Sequence, residues 1–391
     1  MTMERREFLT YAAITAAVTS MGIAVPAVPA WARPGWDRTL VLLELKGGND
    51  GLNTLIPYTD PLYYEARPTL AVARDRVLKV ENKLGFHPAL EPLMPLWSAQ
   101  KMAAVMGLGY PDPNLSHFRG IEIWNTASDA DQYQEMGWIS RLFATAPPGP
   151  GYAADGINLG YNQMGPLQGR NTRAISLQKR PEKILQQASQ LRPGRADARN
   201  PMMTHILKQR RDLRSAAEKI IAKRIEAVQV RGQFPATPLG DQFRIAARLL
   251  IAGVRVPALK LSISKFDTHA SQEPLHSDLL ADVARSVAAF AKEMERQGLW
   301  NDVLVMTFSE FGRRVAENSS SGTDHGTAAP QFLFGGRVTG GLHGDHPPLY
   351  DLEGGNLKHR LHFRSLYATV AKEWWGVRPD FIMEKPLGLI T

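Results

Sequence analysis

The chain has 391 residues, 44% of them hydrophobic and 21% charged, enough for one large α/β domain or two modest ones. That balance argues against a disordered or fibrous protein. It has no cysteine, which excludes disulfides, a thiolate nucleophile and thiolate zinc ligands, and its net charge is +8.

Residues 1–32 read as a twin-arginine signal peptide. Arg5-Arg6-Glu7-Phe8-Leu9 opens it, an Ala-rich stretch follows from Tyr11, and Ala30-Trp31-Ala32 supplies a cleavage site of the A-x-A kind. A membrane anchor is the alternative, disfavoured by the Ala/Thr-rich composition and the processing site. The expectation is a mature protein starting near residue 33, periplasmic or secreted, with the twin-arginine translocation machinery as its first partner. That route exports folded proteins, so a metal could be loaded before export.

Thr39–Leu45, built on the apolar run Leu40-Val41-Leu42-Leu43, reads as a buried strand; 102–108 is a second. Residues 150–235 open on a Pro/Gly-rich stretch and end in a long basic helix, roughly 203–230, with Ile206, Leu213 and Ile220 seven residues apart. They read as a basic helical cap or insertion. From Arg170 to Arg231 there are 16 lysines and arginines against five acids. A solvated helical surface is the favoured reading of that block, with contact to a surface polyanion as the sharper one. No aromatic residue interleaves with these charges, which argues against a specific nucleic-acid partner.

Strands follow at 258–264 and Val303–Phe308, with a helix at 279–297 between them. A fifth strand is expected at 332–334 and a last helix at 364–375. Unbroken apolar runs suit strands covered on both faces. The order predicts a single α/β domain over 33–391, with a doubly wound, mostly parallel sheet flanked by helices.

Polar motifs sit where these strands end, the edge at which open parallel sheets bind ligands. Asp50 lies in Gly47-Gly48-Asn49-Asp50-Gly51, as a metal ligand or an Asx-type turn. Ser116 and His117 lie in Asn114-Leu115-Ser116-His117-Phe118-Arg119 and are read, with Arg119, as catalytic candidates. Ser116 is a candidate nucleophile or a plain helix cap, and Arg119 a candidate clamp for an anionic oxygen. Asp267 and His269, two apart, can point the same way in extended chain. Glu310, Asp324 and His325 add further oxygen and nitrogen donors, a mixture that suits zinc or manganese, one or two ions. His276 is a spare ligand candidate, read in preference as a surface helix residue. His87 reads as a turn residue, and Arg313 and Arg314 read either as arginines beside a site that handles anions or as partners of Glu310. Gly-x-Ser-x-Gly is absent, which disfavours a metal-free α/β-hydrolase triad.

Taken together, Leu45-Lys46-Gly47-Gly48-Asn49-Asp50-Gly51-Leu52-Asn53-Thr54, Asn114-Leu115-Ser116-His117-Phe118-Arg119, Phe266-Asp267-Thr268-His269, Phe308-Ser309-Glu310-Phe311-Gly312-Arg313 and Thr323-Asp324-His325-Gly326-Thr327 resemble, in order, the signatures of the exported family called domain of unknown function 1501. That family is similar to the alkaline phosphatase superfamily, which includes sulfatases and phosphodiesterases. The resemblance implies an alkaline phosphatase-like fold and a metal-dependent hydrolase of anionic esters, phosphate or sulfate. It implies Ser116 as nucleophile, Asp50 as the first metal-binding acid and Asp267 with His269 as the first Asp/His pair. Where those enzymes carry Asp-His-Gly, this chain has Ser309-Glu310-Phe311-Gly312. Phe311 cannot ligate, so Asp324 and His325 are expected to supply the missing donors. The chain also lacks the Cys/Ser-x-Pro-x-Arg pattern of sulfatases that use formylglycine. The competing expectation is a non-catalytic exported binding or assembly protein on the same scaffold, meeting a polyanion through 170–231.

Overall fold

The computed structural model describes residues 35–161, 163–178, 181–192 and 201–391. The leader expected at 1–32 lies outside the described residues.

Nine strands form the main sheet among the described residues. In chain order they are β1 (Thr39–Leu45), β2 (Met102–Gly109), β3 (Gly156–Asn158), β4 (Ala174–Ser176), β5 (Ala258–Ile263), β6 (Val303–Phe308), β7 (Ala329–Gly335), β8 (Gly341–His343) and β9 (Leu361–His362). Across the sheet the order is β8-β2-β7-β6-β1-β5-β3-β4, and β9 also pairs with β2. Every pairing is parallel except those of β7, which runs antiparallel to both β2 and β6.

The apolar runs are continuous because each face of the sheet meets its own core. In β1, Val41, Leu43 and Leu45 face one cluster, while Leu40 and Leu42 face the other. Alternate residues of a strand point to opposite faces, so a strand buried on both sides needs apolar residues at nearly every position. On the first face lie helices that include α5 (Pro238–Ile251) and α6 (Gln272–Arg296), through Phe243, Val287 and Phe290. On the second lie α1 (His117–Thr126), α2 (Trp138–Thr145) and α7 (Arg364–Ala368), through Ile123, Trp138 and Tyr367. The exception within β1 is Glu44. It is buried, and its carboxylate accepts a 2.6 Å bond from the equally buried Lys260 of β5.

The segment expected as a cap, 150–235, contributes β3 and β4 to the sheet as well as α3 (Pro181–Ser189) and α4 (Pro201–Ile221). In α4, Leu207, Ala217 and Ile220 are buried and Leu213 partly so, whereas Ile206 is exposed. The seven-residue spacing therefore overstates the docking face. The helix expected at 364–375 is α-helical only through Ala368 and continues as a wider π-type turn over Thr369–Trp374. Among the described residues no helix is long and apolar enough to cross a membrane.

Candidate metal centre

The carboxyl ends of β1, β2, β5 and β6 share one edge of the sheet. Because β7 is antiparallel, it begins at that edge, so the loop carrying Asp324 and His325 arrives there too. The orientation of one strand thus delivers the last motif to the others.

His117, Asp267 and His325 converge, each offering one ligand atom, and these atoms lie within 4.8 Å of one another. The outer nitrogen of each histidine is already engaged. His325 Nδ1 donates to the Leu115 carbonyl at 2.7 Å, and His117 Nδ1 lies 2.8 Å from Glu310 Oε1. A carbonyl can only accept, so neutral His325 carries its proton on Nδ1 and presents a bare Nε2. The Glu310 carboxylate imposes the same tautomer on His117.

Those Nε2 atoms face Asp267: His117 Nε2 is 3.3 Å from Oδ2 and His325 Nε2 is 3.2 Å from Oδ1. His269 Nε2 stands 3.0 Å from Asp267 Oδ1 and 3.0 Å from His325 Nε2. Lone pairs of a carboxylate and neutral imidazoles are thereby directed at one another, and His117 Nε2 is buried with no hydrogen-bond partner. Such acceptor-to-acceptor contacts are relieved by a proton or a cation between them. These residues could hold a divalent metal ion: imidazole and carboxylate donors converge, and two of the histidines are fixed from behind by acceptors.

The same contacts shift the ionisation of these groups. Burial alone would raise Asp267, but the hydrogen bond and charge of Arg313, with His117 and His325, outweigh it and hold the carboxyl at about 2. The Glu310 hydrogen bond raises His117 against the opposing effect of burial, whereas burial lowers His325.

Three of the expected ligands take other places. Asp50 is buried and does not join the cluster. Its Oδ2 accepts from Arg67 at 2.6 Å and from Gln272 at 2.5 Å, and its Oδ1 accepts from the Leu52 and Asn53 amides. Arg67, 17 residues along, claims the carboxylate that local reading offered to a metal. Glu310 is also buried, accepting from the Gly47 amide as well as holding His117 from behind. Asp324 accepts from Asn318 and meets His269 Nδ1 at 3.2 Å, so it orients that imidazole from its outer side. His117, expected as a catalytic partner, stands instead among the ligand candidates.

Arg119, the expected anion clamp, is buried and turned towards the loop after α1. Its guanidinium donates to the carbonyls of Asp129, Ala130 and Gln132, pairs with Glu122 at 2.9 Å and stacks on Tyr133. Ser116 is the N-cap residue of α1, exposed, and its hydroxyl makes no capping bond. His276 is fully buried, not a surface residue; its Nε2 bonds Asn49 Oδ1 at 3.0 Å.

Sequence reasoning missed Arg313 as the organiser of the site. This buried guanidinium donates to the carbonyls of Gly48, Thr323, Phe266 and Gly47 and to Asp267 Oδ1, not to Glu310. It ties the turn after β1 to the loops bearing Asp267 and Asp324. Phe311 fills the space beside the cluster, its ring centroid 4.9 Å from that of His117 and 4.7 Å from that of His325.

The family described as "Protein of unknown function (DUF1501)" matches residues 37–379. No curated protein matches the chain. Solved structures similar to it include members of the alkaline phosphatase superfamily. One, from Vibrio parahaemolyticus, is 13% identical, with 88% of this chain and 71% of that one covered at a TM-score of 0.37. The phosphonate monoester hydrolase of Silicibacter pomeroyi is 10% identical, with 90% and 76% covered at 0.43. The C-terminal periplasmic domain of EcEptC from Escherichia coli is 13% identical, with 78% and 74% covered at 0.34.

Proposed function

The chain belongs to the DUF1501 family, and from that premise we propose that it is an exported, metal-dependent hydrolase of phosphate or sulfate esters. The observation that carries this reading is the set of Nε2 atoms and the Asp267 carboxylate facing one another beside the start of α1. When bound, a divalent ion would supply Lewis acidity and offset the negative charge of the ester. His117 and His325 would hold it, steadied by Glu310 and Leu115, with Asp267 between them and His269 within reach.

Ser116 is the proposed nucleophile. Its hydroxyl is exposed, unspent on capping and adjacent in sequence to His117. Free N–H groups at the start of a helix favour negative charge, which suits the oxygens of an anionic ester next to that hydroxyl. A single ion suits these residues better than two, since Arg67 occupies Asp50 and Phe311 offers no donor. Export rests on the Arg5-Arg6 leader.

The test combines metal analysis with a panel of phosphomonoesters, phosphodiesters and sulfate esters. Ester cleavage that is lost with chelator and in Ser116→Ala is the expected result. A metal-loaded protein inert on every ester would sink the enzyme reading. Salt-sensitive binding to a polyanion, surviving Ser116→Ala and Asp267→Ala, would then favour the binding protein. Cell fractionation of Arg5→Lys/Arg6→Lys tests export, with retention in the cytoplasm as the expected outcome.

A further inference from the structure

A cavity of about 500 Å³ opens at the same edge of the sheet, beyond the ends of β3 and β5. Its rim is tied to the strand that leads to the metal centre. Tyr161 donates its amide to Ser262 Oγ, and its hydroxyl lies 2.8 Å from Ser264 Oγ, three residues before Asp267. Leu159, Pro181, Pro238 and Ile245 line an apolar wall, joined by Tyr161, which is half-exposed.

The opposite wall is polar and has donors to spare. Helix α5 presents Asp241, Arg244 and Arg248 at helical spacing, and Arg244 is already paired with Asp241. Arg248 is only loosely engaged: its Nε is buried without a partner, and NH1 makes a long ion pair of 3.8 Å with Glu182, too far for a hydrogen bond. Gln178 Nε2, on the same lining, is buried and unpartnered as well. Both orphaned groups are donors, one of them cationic. A buried donor left without an acceptor is costly, so these two favour a ligand that brings oxygen acceptors and negative charge.

We propose that this cavity is a binding site for an anionic sugar residue, the part of the substrate that lies away from the ester. The volume suits one ring or two. The apolar wall and Tyr161 would receive a pyranose face, and Gln178 and Arg248 its hydroxyl and acidic oxygens. The role as a subsite rests on the reading of the metal centre given above; binding itself rests on the cavity alone.

Isothermal titration of the full chain in chelator separates the two. The probes are a uronate-containing disaccharide, a sulfated disaccharide and a neutral disaccharide of the same size. Saturable binding of an acidic probe at least tenfold tighter than the neutral one is expected. Arg248→Ala and Gln178→Ala should each weaken it about tenfold or more, Arg248→Lys less, and His325→Ala should leave it unchanged. Unfolding midpoints of these variants check that they fold. Equal binding of acidic and neutral probes, no binding of either, or binding lost in His325→Ala but kept in Arg248→Ala would overturn the proposal. Sugar binding without ester cleavage would sink the enzyme reading and leave the cavity site standing.

Discussion

Arg313 and Glu310 set the site from behind, and each makes a separable prediction. Arg313 spans four carbonyls and a carboxylate from three loops, which a lysine cannot do with one ammonium. Arg313→Lys should therefore lower stability in urea unfolding by roughly 2 kcal/mol or more, through buried acceptors left unpaired. Glu310→Gln keeps an acceptor for His117 but removes its charge. It should fold normally and weaken zinc or manganese binding about 10–100-fold, read by competition with a chromophoric chelator. Unchanged affinity would show that His117 is not a ligand. At this scale the sequence was readable for residue type and less so for pairing. Asp267, His269 and His325 stood out as donors at strand ends. That Arg67 would neutralise Asp50, and that backbone carbonyls would absorb Arg119, depends on contacts no local pattern encodes.

The turn after β1 shows how an element places a ligand it does not contain. A Cβ on Gly47 would fall 2.4 Å from the Asp267 amide nitrogen, and its φ of +122° is one that side chains rarely adopt. Gly47→Ala should weaken metal binding without touching a ligand, and should cost more stability than Gly298→Ala. Gly298 also has positive φ, but nothing lies within 4 Å of its added carbon, so that substitution should cost only the backbone strain of about 1–2 kcal/mol. Equal losses for the two variants would mean that the turn yields without disturbing Asp267. Strands were legible here to the residue in β1 and β6, because burial on both faces leaves an apolar run broken in β1 chiefly by Glu44. The direction of β7 was not legible, since Phe332-Leu333-Phe334 reads alike in either sense, and that direction is what brings Asp324 and His325 to the site.

For the whole molecule, two buried histidines couple stability to pH. Burial holds His276 down to about 4 and His87 down to about 3, against about 6.5 in an unfolded chain. Below about pH 6.5 the unfolded state binds protons that the native state refuses, so stability is full above that pH and falls on acidification, towards about 4 for His276 and about 3 for His87. Each histidine contributes up to ~1.4 kcal/mol per pH unit across that window. His117 acts in the opposite sense: its raised value adds stability at low pH that is lost as pH rises. The urea midpoint should drop from pH 7 to pH 5, and His276→Gln should flatten the drop; a midpoint that rises on acidification would contradict this balance. The α/β architecture with a mostly parallel sheet was legible from the order of apolar runs and helices. The extension of the sheet by β3 and β4 was hidden, because strands of three residues carry too little pattern to register beside loops rich in Asn, Gln and Gly.

The proposed metal centre requires that His117, Asp267 and His325 hold a divalent ion. Elemental analysis of the purified chain, after incubation with zinc or manganese and removal of excess, tests it most directly. About one equivalent is predicted in the wild type and in Ser116→Ala, falling to near zero in His325→Ala while that variant remains folded. A wild-type chain that retains no metal, or a His325→Ala variant that retains as much as the wild type, would contradict it.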